Sequence, residues 1–324
     1  MTSPTPNFTR RTFALGALGL GAAGLLSACS GKEEKKPAAS GKPAMDKQEE
    51  KQGAANAKLP GVFASTIVWG SVAQAVGGEY AKVTSAIERA DQDPHDYEPS
   101  ARQLADAKEA SIVLLNGGGY DDWVLKMASD SAVRIDAVTV SGLKKPGEEE
   151  FNEHVFYDVD TVEKVARDIA KALSDQAPEH KAEYEQNAEA FVGSLASVRA
   201  NMKKFADEHK GLTALATEPV VGYLLEDLGI EDVTPEEFVE QSETEAGVSA
   251  AVAQQAVTLI RDGKVKILVL NAQTEDATSD TLLKAATEKK VPVAKVYETF
   301  PDGVTTYQAF LEGAVKQITD AASV

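Results

Sequence analysis

Between Asp91 and Trp123 the chain reads DQDPHDYEPSARQLADAKEASIVLLNGGGYDDW, and this stretch restricts the possible folds more than any other. His95 sits between Pro94 and Pro99, with Asp93, Asp96 and Glu98 around it. Each proline removes a backbone donor and restricts its predecessor, so the loop is stiff and excluded from helix or ladder. An amphipathic run follows, predicted as a helix over about 100–109. Then come the apolar strand SIVLLN (111–116) and Gly117, Gly118 and Gly119. An imidazole on a rigid acidic loop beside a buried strand is a metal-ligand candidate. On these residues alone, a surface histidine among solvated acids fits as well.

The pattern around this stretch predicts a parallel α/β lobe over residues 59–175. STIVWG (65–70) and KVTSAI (82–87) read as strands, with a helix between them ending at Gly77-Gly78. A helix over 121–129 leads to a strand in AVRIDAV, and strand–helix alternation argues for a parallel sheet covered on both faces. Ligands of such sheets bind outside the carboxyl ends of the strands, where His95 falls. His154 follows a loop rich in Gly, Lys, Pro and Glu. It stands just before a helix whose cap signal is Asp160 with Glu163 three residues on. A histidine before a helix is, by itself, more often a polar surface residue.

After Pro178, apolar residues recur at helical spacing through Tyr184, Phe191, Leu195, Val198, Met202 and Phe205, with Gly211 closing the run. About 31 residues of helix would be about 46 Å long, enough to cross a domain. His180 and His209 read as exposed helix residues. Beyond it, residues 210–324 predict strands at 212–217, 266–271 and VPVAKV, with helices at 244–262, 279–289 and 307–318. Glu218 ends the first of these strands, ahead of Pro219. Its bland reading is an acid favoured by a helix N-terminus.

The segments DPHDYEPSARQLADAKEASIVLLNGGGYDDW, HVFYD (154–158), EPVVGYL (218–224) and YETFP (297–301) together resemble the zinc- and manganese-binding lipoproteins of ABC metal importers, the cluster 9 solute-binding proteins. The resemblance covers roughly residues 60–320. It implies an α/β fold of two lobes, each a roughly four-stranded parallel sheet flanked by helices, joined by one long linking helix over 176–209. It implies His95, His154, Glu218 and Glu298 as ligands of one Mn(II) or Zn(II) ion, carried as cargo. Glu298 stands where the family commonly has Asp, one methylene shorter, so Asp302 or Glu275 could contribute instead. The AQTEDATSD turn resembles a family region that shapes the cleft. No His-rich loop is present, and Glu218 matches a variant seen in manganese-type members. Mixed imidazole and carboxylate ligation suits either ion, and zinc stands higher in intrinsic affinity.

The N-terminal residues imply where this would happen. Arg10 and Arg11 precede a short, glycine-broken apolar run, which reads as an export signal of twin-arginine type over 1–28. Leu26-Ser27-Ala28-Cys29 resembles a lipobox, and Cys29 is the only cysteine. Lipidation there would hold the chain outside the cytoplasm at the membrane. Residues 29–58, nearly devoid of large apolar side chains, read as a disordered tether.

With 33 Lys+Arg against 51 Asp+Glu, the net charge of −18 argues against nucleic acid or anionic lipid as partners. The expected partners are the divalent ion and an ABC permease, with membrane contact through the lipid anchor alone and a monomeric state. The competing readings are a metal-dependent hydrolase, which would need an open metal position and a base, and a surface adhesin. Neither HExxH nor GxSxG occurs, and a non-enzymatic carrier is expected.

Overall fold

The structure, a computed structural model, describes residues 59–323 except Asp96, Pro146, Glu148, Glu149, Glu150 and Glu245. The export signal, lipobox, Cys29 and the tether up to residue 58 lie outside the described residues.

The first lobe starts with β1 (Gly61–Thr66), α1 (Ile67–Gly77) and β2 (Lys82–Ile87). It continues through α2 (Ala101–Glu109), β3 (Ile112–Leu115), β4 (Val133–Asp136) and α3 (Ala137–Ser141). All neighbouring strands are parallel, in the order β2-β1-β3-β4. Burial on both faces makes the strands apolar at successive positions. Val62 and Ala64 of β1 enter the main core, while Phe63 packs outward with Ala86, Ala107, Val113 and Leu115.

Two expectations for this lobe need correction. The first strand is GVFAST, and Ile67, Val68 and Trp69 are helical. Those β-branched and aromatic residues imitate a strand, but Val68, Trp69, Val72, Ala73 and Val76 form a buried helix face. The helix predicted over 121–129 is only a 3-10 turn, Asp122–Lys126. α2 opens on a capping box in which Ser100 and Gln103 bond reciprocally.

α4 (Val159–Gln176) is capped by Asp158, which accepts from the Thr161 N–H, rather than by Asp160. Asp160 pairs instead with Arg199. A 3-10 turn at Pro178–His180 then leads into α5 (Lys181–Glu208). Its 28 residues give a strut of about 42 Å. Tyr184, Ala188, Phe191, Leu195, Val198, Met202 and Phe205 form its buried stripe. His180 and His209, at its two ends, are half-buried rather than exposed. His180 stacks on Tyr80 at 4.1 Å and His209 on Phe205 at 4.2 Å.

The second lobe contains β5 (Thr213–Ala216), α6 (Gly222–Asp227), β6 (Glu231–Asp232) and α7 (Glu236–Ser242). Next come α8 (Ala250–Arg261), β7 (Ile267–Asn271), α9 (Ala277–Lys289), β8 (Val293–Val296) and α10 (Tyr307–Ala322). The sheet order β6-β5-β7-β8 repeats the first lobe's topology, again all parallel. The helix expected from Thr244 starts only at Ala250, after Ser249 as N-cap. Two-residue β6 and seven-residue α7 carry too little periodicity to be read from sequence.

One main core runs through both sheets, including Leu114 of the first lobe, Val269 of the second, the α5 stripe, and Tyr307 and Phe310 of α10. Each lobe also has its own outer cluster beneath its peripheral helices. The carboxyl ends of β2, β3, β5, β7 and β8 deliver the segments described next.

Candidate metal centre

The loop after β2 presents His95. The His95 backbone N–H donates to Asp93 Oδ1 at 2.8 Å, and the Trp123 indole N–H donates to the Pro94 carbonyl at 2.9 Å. The stiff loop is thereby fixed to the turn that follows β3. That turn depends on Gly117, whose φ of +80° is open to glycine at little cost. Asp121 closes it, accepting from the N–H groups of Asn116 at 2.7 Å and Gly117 at 2.9 Å. Burial pushes the Asp121 carboxyl up to about 6 although these bonds favour its charge.

The turn places Tyr120 under the centre. Its ring meets His95 edge-on at 4.9 Å, and its hydroxyl donates to Glu298 Oε2 at 3.0 Å. His154 stands between the two lobes and is only 1% exposed. Its Nδ1 lies 2.8 Å from Asn152 Oδ1. An amide oxygen only accepts, so Nδ1 carries hydrogen and Nε2 presents its lone pair when the ring is neutral. His154 Nε2 lies 3.7 Å from Glu298 Oε2. Burial opposes a charged imidazole here, but the nearby Glu298 carboxylate prevails and pushes His154 up to about 9.

Glu298 follows β8 and is 3% exposed. Its Oε1 accepts from Asn271 Nδ2 at 2.8 Å, and its backbone N–H donates to Gln273 Oε1 at 2.7 Å. Burial would raise its pKa, yet His154 and Asn271 hold the carboxyl below its ordinary value. Glu218, half-buried after β5, accepts from the same Asn271 Nδ2 at 2.5 Å and from the Thr274 hydroxyl. Burial pushes it up to about 7, with both hydrogen bonds opposing.

Ligating atoms of His95, His154 and Glu298 all lie within 4.8 Å of one another. Two imidazoles come from the first lobe and a carboxylate from the second, a donor set that suits Zn(II) or Mn(II). Glu218 is not in that group; Asn271 and Thr274 hold its carboxylate to one side. Glu275 is paired with Lys295 at 3.2 Å, and neither it nor exposed Asp302 joins the three. Sequence reasoning singled out neither Tyr120 nor Asn271, although Asn271 ends β7 and Tyr120 lies in the glycine turn after β3, at the carboxyl ends that it marked as ligand-facing. It also passed over a second convergence, His95 with Glu153 and Glu243, again within 4.8 Å. Of these three, His95 and Glu243 are exposed and Glu153 is half-buried.

Comparison with known proteins places the chain in a family and identifies its fold. The ZnuA family model, described as zinc-uptake complex component A, periplasmic, matches residues 62–321. The zinc-binding lipoprotein AdcA of Streptococcus pneumoniae is 25% identical over 278 residues, covering 76% of this chain. The chain spans about half of AdcA's own length, 53%. The manganese ABC transporter substrate-binding lipoprotein scaA of Streptococcus gordonii is 22% identical over 255 residues, covering 73% of this chain and 79% of scaA. Among solved structures, the Mn-bound S38A mutant of a periplasmic metal binding protein from Candidatus Liberibacter asiaticus superposes with a TM-score of 0.66 at 20% identity. That alignment covers 81% of this chain and 98% of the other, and it shows the shared fold.

Proposed function

We propose that this chain, which belongs to the ZnuA family of periplasmic zinc-uptake components, captures one Mn(II) or Zn(II) ion between its lobes and delivers it to the permease of an ABC importer. The proposed ligands are His95, His154 and Glu298, with Glu218 turning in from Asn271 as the fourth. The convergence of His95, His154 and Glu298 across the two lobes carries the reading. Two carboxylates would neutralise the divalent ion, so its burial leaves no net charge. The names of AdcA and scaA support zinc and manganese respectively as cargo of this fold.

The chain acts in this reading as a carrier, not an enzyme, and as a monomer. Lipidation of Cys29 would anchor it outside the cytoplasm, with the segment 29–58 as tether and the lobes at 59–175 and 210–324. Mass spectrometry of the membrane-extracted protein tests the anchor: an unmodified Cys29 in the exported chain would contradict it.

Metal capture is tested by thermal melts of metal-stripped protein with Mn, Zn, Mg and Ca titrated separately. A ligand at a hundred times its dissociation constant adds about 2.7 kcal/mol. Mn and Zn should shift the melt, and Mg and Ca should not. Absence of a shift with either transition metal would overturn the reading.

A further inference from the structure

His95 is exposed, whereas His154 and Glu298 are buried. Its imidazole belongs to two groups of ligating side chains. Inward it converges with His154 and Glu298, and separately with Glu153 and Glu243. The second group also joins the lobes, because Glu153 precedes His154 in the first and Glu243 follows α7 in the second. Glu153 is packed against Gly118, where a Cβ would stand 3.1 Å from that of Glu153. Among the described residues neither carboxylate has a Lys or Arg partner, and no hydrogen bond fixes the His95 ring, which only leans edge-on against Tyr120.

We propose that His95, Glu153 and Glu243 form an outer divalent-cation site from which the ion passes to the buried centre, with His95 as the ligand common to both. This rests on the metal-carrier reading above. One imidazole and two carboxylates leave several coordination positions to water, so an incoming ion need shed only part of its hydration. The ion then loses its remaining water as His154 and Glu298 replace the outer carboxylates. Because His95 is shared, the two sites fill one at a time and the stoichiometry stays at one.

A transfer site has a kinetic signature: it speeds entry and exit together and leaves the equilibrium constant nearly unchanged. Stopped-flow tryptophan fluorescence with Mn(II) or Zn(II) alone reads both rates, since the Trp123 indole is bonded to the His95 loop. For E153Q/E243Q, association and dissociation should each slow by about tenfold while Kd moves by less than about twofold. E236Q/E240Q removes the same charge from exposed positions of α7 and should leave both rates unchanged, which separates the site from general electrostatic attraction. If the double variant does not fold, E243Q alone, at an exposed position, gives the same test. Wild-type rates in the variant, equal slowing in both variants, or a loss of affinity at unchanged association rate would overturn the proposal. Failure of the wild-type protein to bind either ion would overturn the carrier reading itself.

Discussion

The Tyr157 hydroxyl donates to the backbone carbonyl of Tyr297 at 2.7 Å. This bond ties the turn that carries His154 to the strand exit that carries Glu298, so two proposed ligands from different lobes are spaced without help from metal. Tyr307 adds further ties. Its hydroxyl donates to the Phe156 carbonyl at 2.8 Å, and its N–H donates to Ser71 Oγ at 2.9 Å. These rings lie in a core continuous between the lobes. A wide hinge motion would expose that core, so metal capture should tighten side chains rather than swing the lobes.

Tyr157→Phe removes the tie and leaves a partly buried carbonyl without its donor. The expected loss is about 1–3 kcal/mol of stability in the metal-free protein. Urea denaturation measures it, and metal affinity should fall with it because the His154–Glu298 spacing loosens. Unchanged stability would mean that the Tyr297 carbonyl finds another donor.

Protonation should act oppositely on the metal-free and metal-loaded forms. His154 is pushed up to about 9 from 6.5, and Glu218 up to about 7 from 4.5. Raised folded-state values mean that the folded protein holds these protons more tightly. The resulting stability is complete below the ordinary pKa and is lost as pH rises through the raised one. The metal-free melting temperature should therefore fall from pH 5 to 9, with Glu218 acting in the lower part of that range and His154 in the upper. Metal requires the deprotonated groups, so the metal-induced shift should grow over the same range. Glu298→Gln should flatten the upper part of the metal-free curve, since Glu298 holds the His154 proton. A metal-free melting temperature that rises from pH 6 to 9 would contradict this account.

Much of the architecture was legible because strands buried on both faces and a long amphipathic helix leave strong patterns. β2 coincides with its expected bounds, and the buried stripe of α5 follows the predicted spacing. Misreadings arose where burial overrides local preference. Ile67, Val68 and Trp69 look like strand residues but pack as helix. The four proposed ligands were marked as a set by the family resemblance of their segments, since residue type alone left each one open, and three of the four converge. Asn271 and Tyr120 were not legible as site residues. Nothing local marks an amide at the end of a strand, or a tyrosine after glycines, as the partner of a carboxylate 27 or 178 residues away.

The two carboxylates should not contribute equally to metal binding. Glu298 already faces both imidazoles, whereas Glu218 must leave Asn271 and Thr274. Glu298→Gln should weaken Zn(II) binding by about a hundredfold or more, and Glu218→Gln by about tenfold. Competition against a chromogenic chelator ranks them. A larger effect at Glu218 would reverse the assigned roles.

Gly117→Ala should disrupt the turn that aims Tyr120. At φ +80° an added Cβ would stand 2.3 Å from Asp136 Oδ1, the oxygen that caps α3 by accepting from the Thr139 N–H. Strained backbone and a lost cap together should cost about 2 kcal/mol or more, read by denaturation. A variant within about 0.5 kcal/mol of the parent would show that the turn can relax.

X-ray absorption of the Zn(II)-loaded protein tests the central claim most directly, because it reads the donor atoms themselves. The account predicts a nitrogen and oxygen shell with two imidazoles, falling to one imidazole in His154→Ala. A shell without imidazole scattering, or one unchanged by His154→Ala, would contradict a metal held between the lobes by His95, His154 and Glu298.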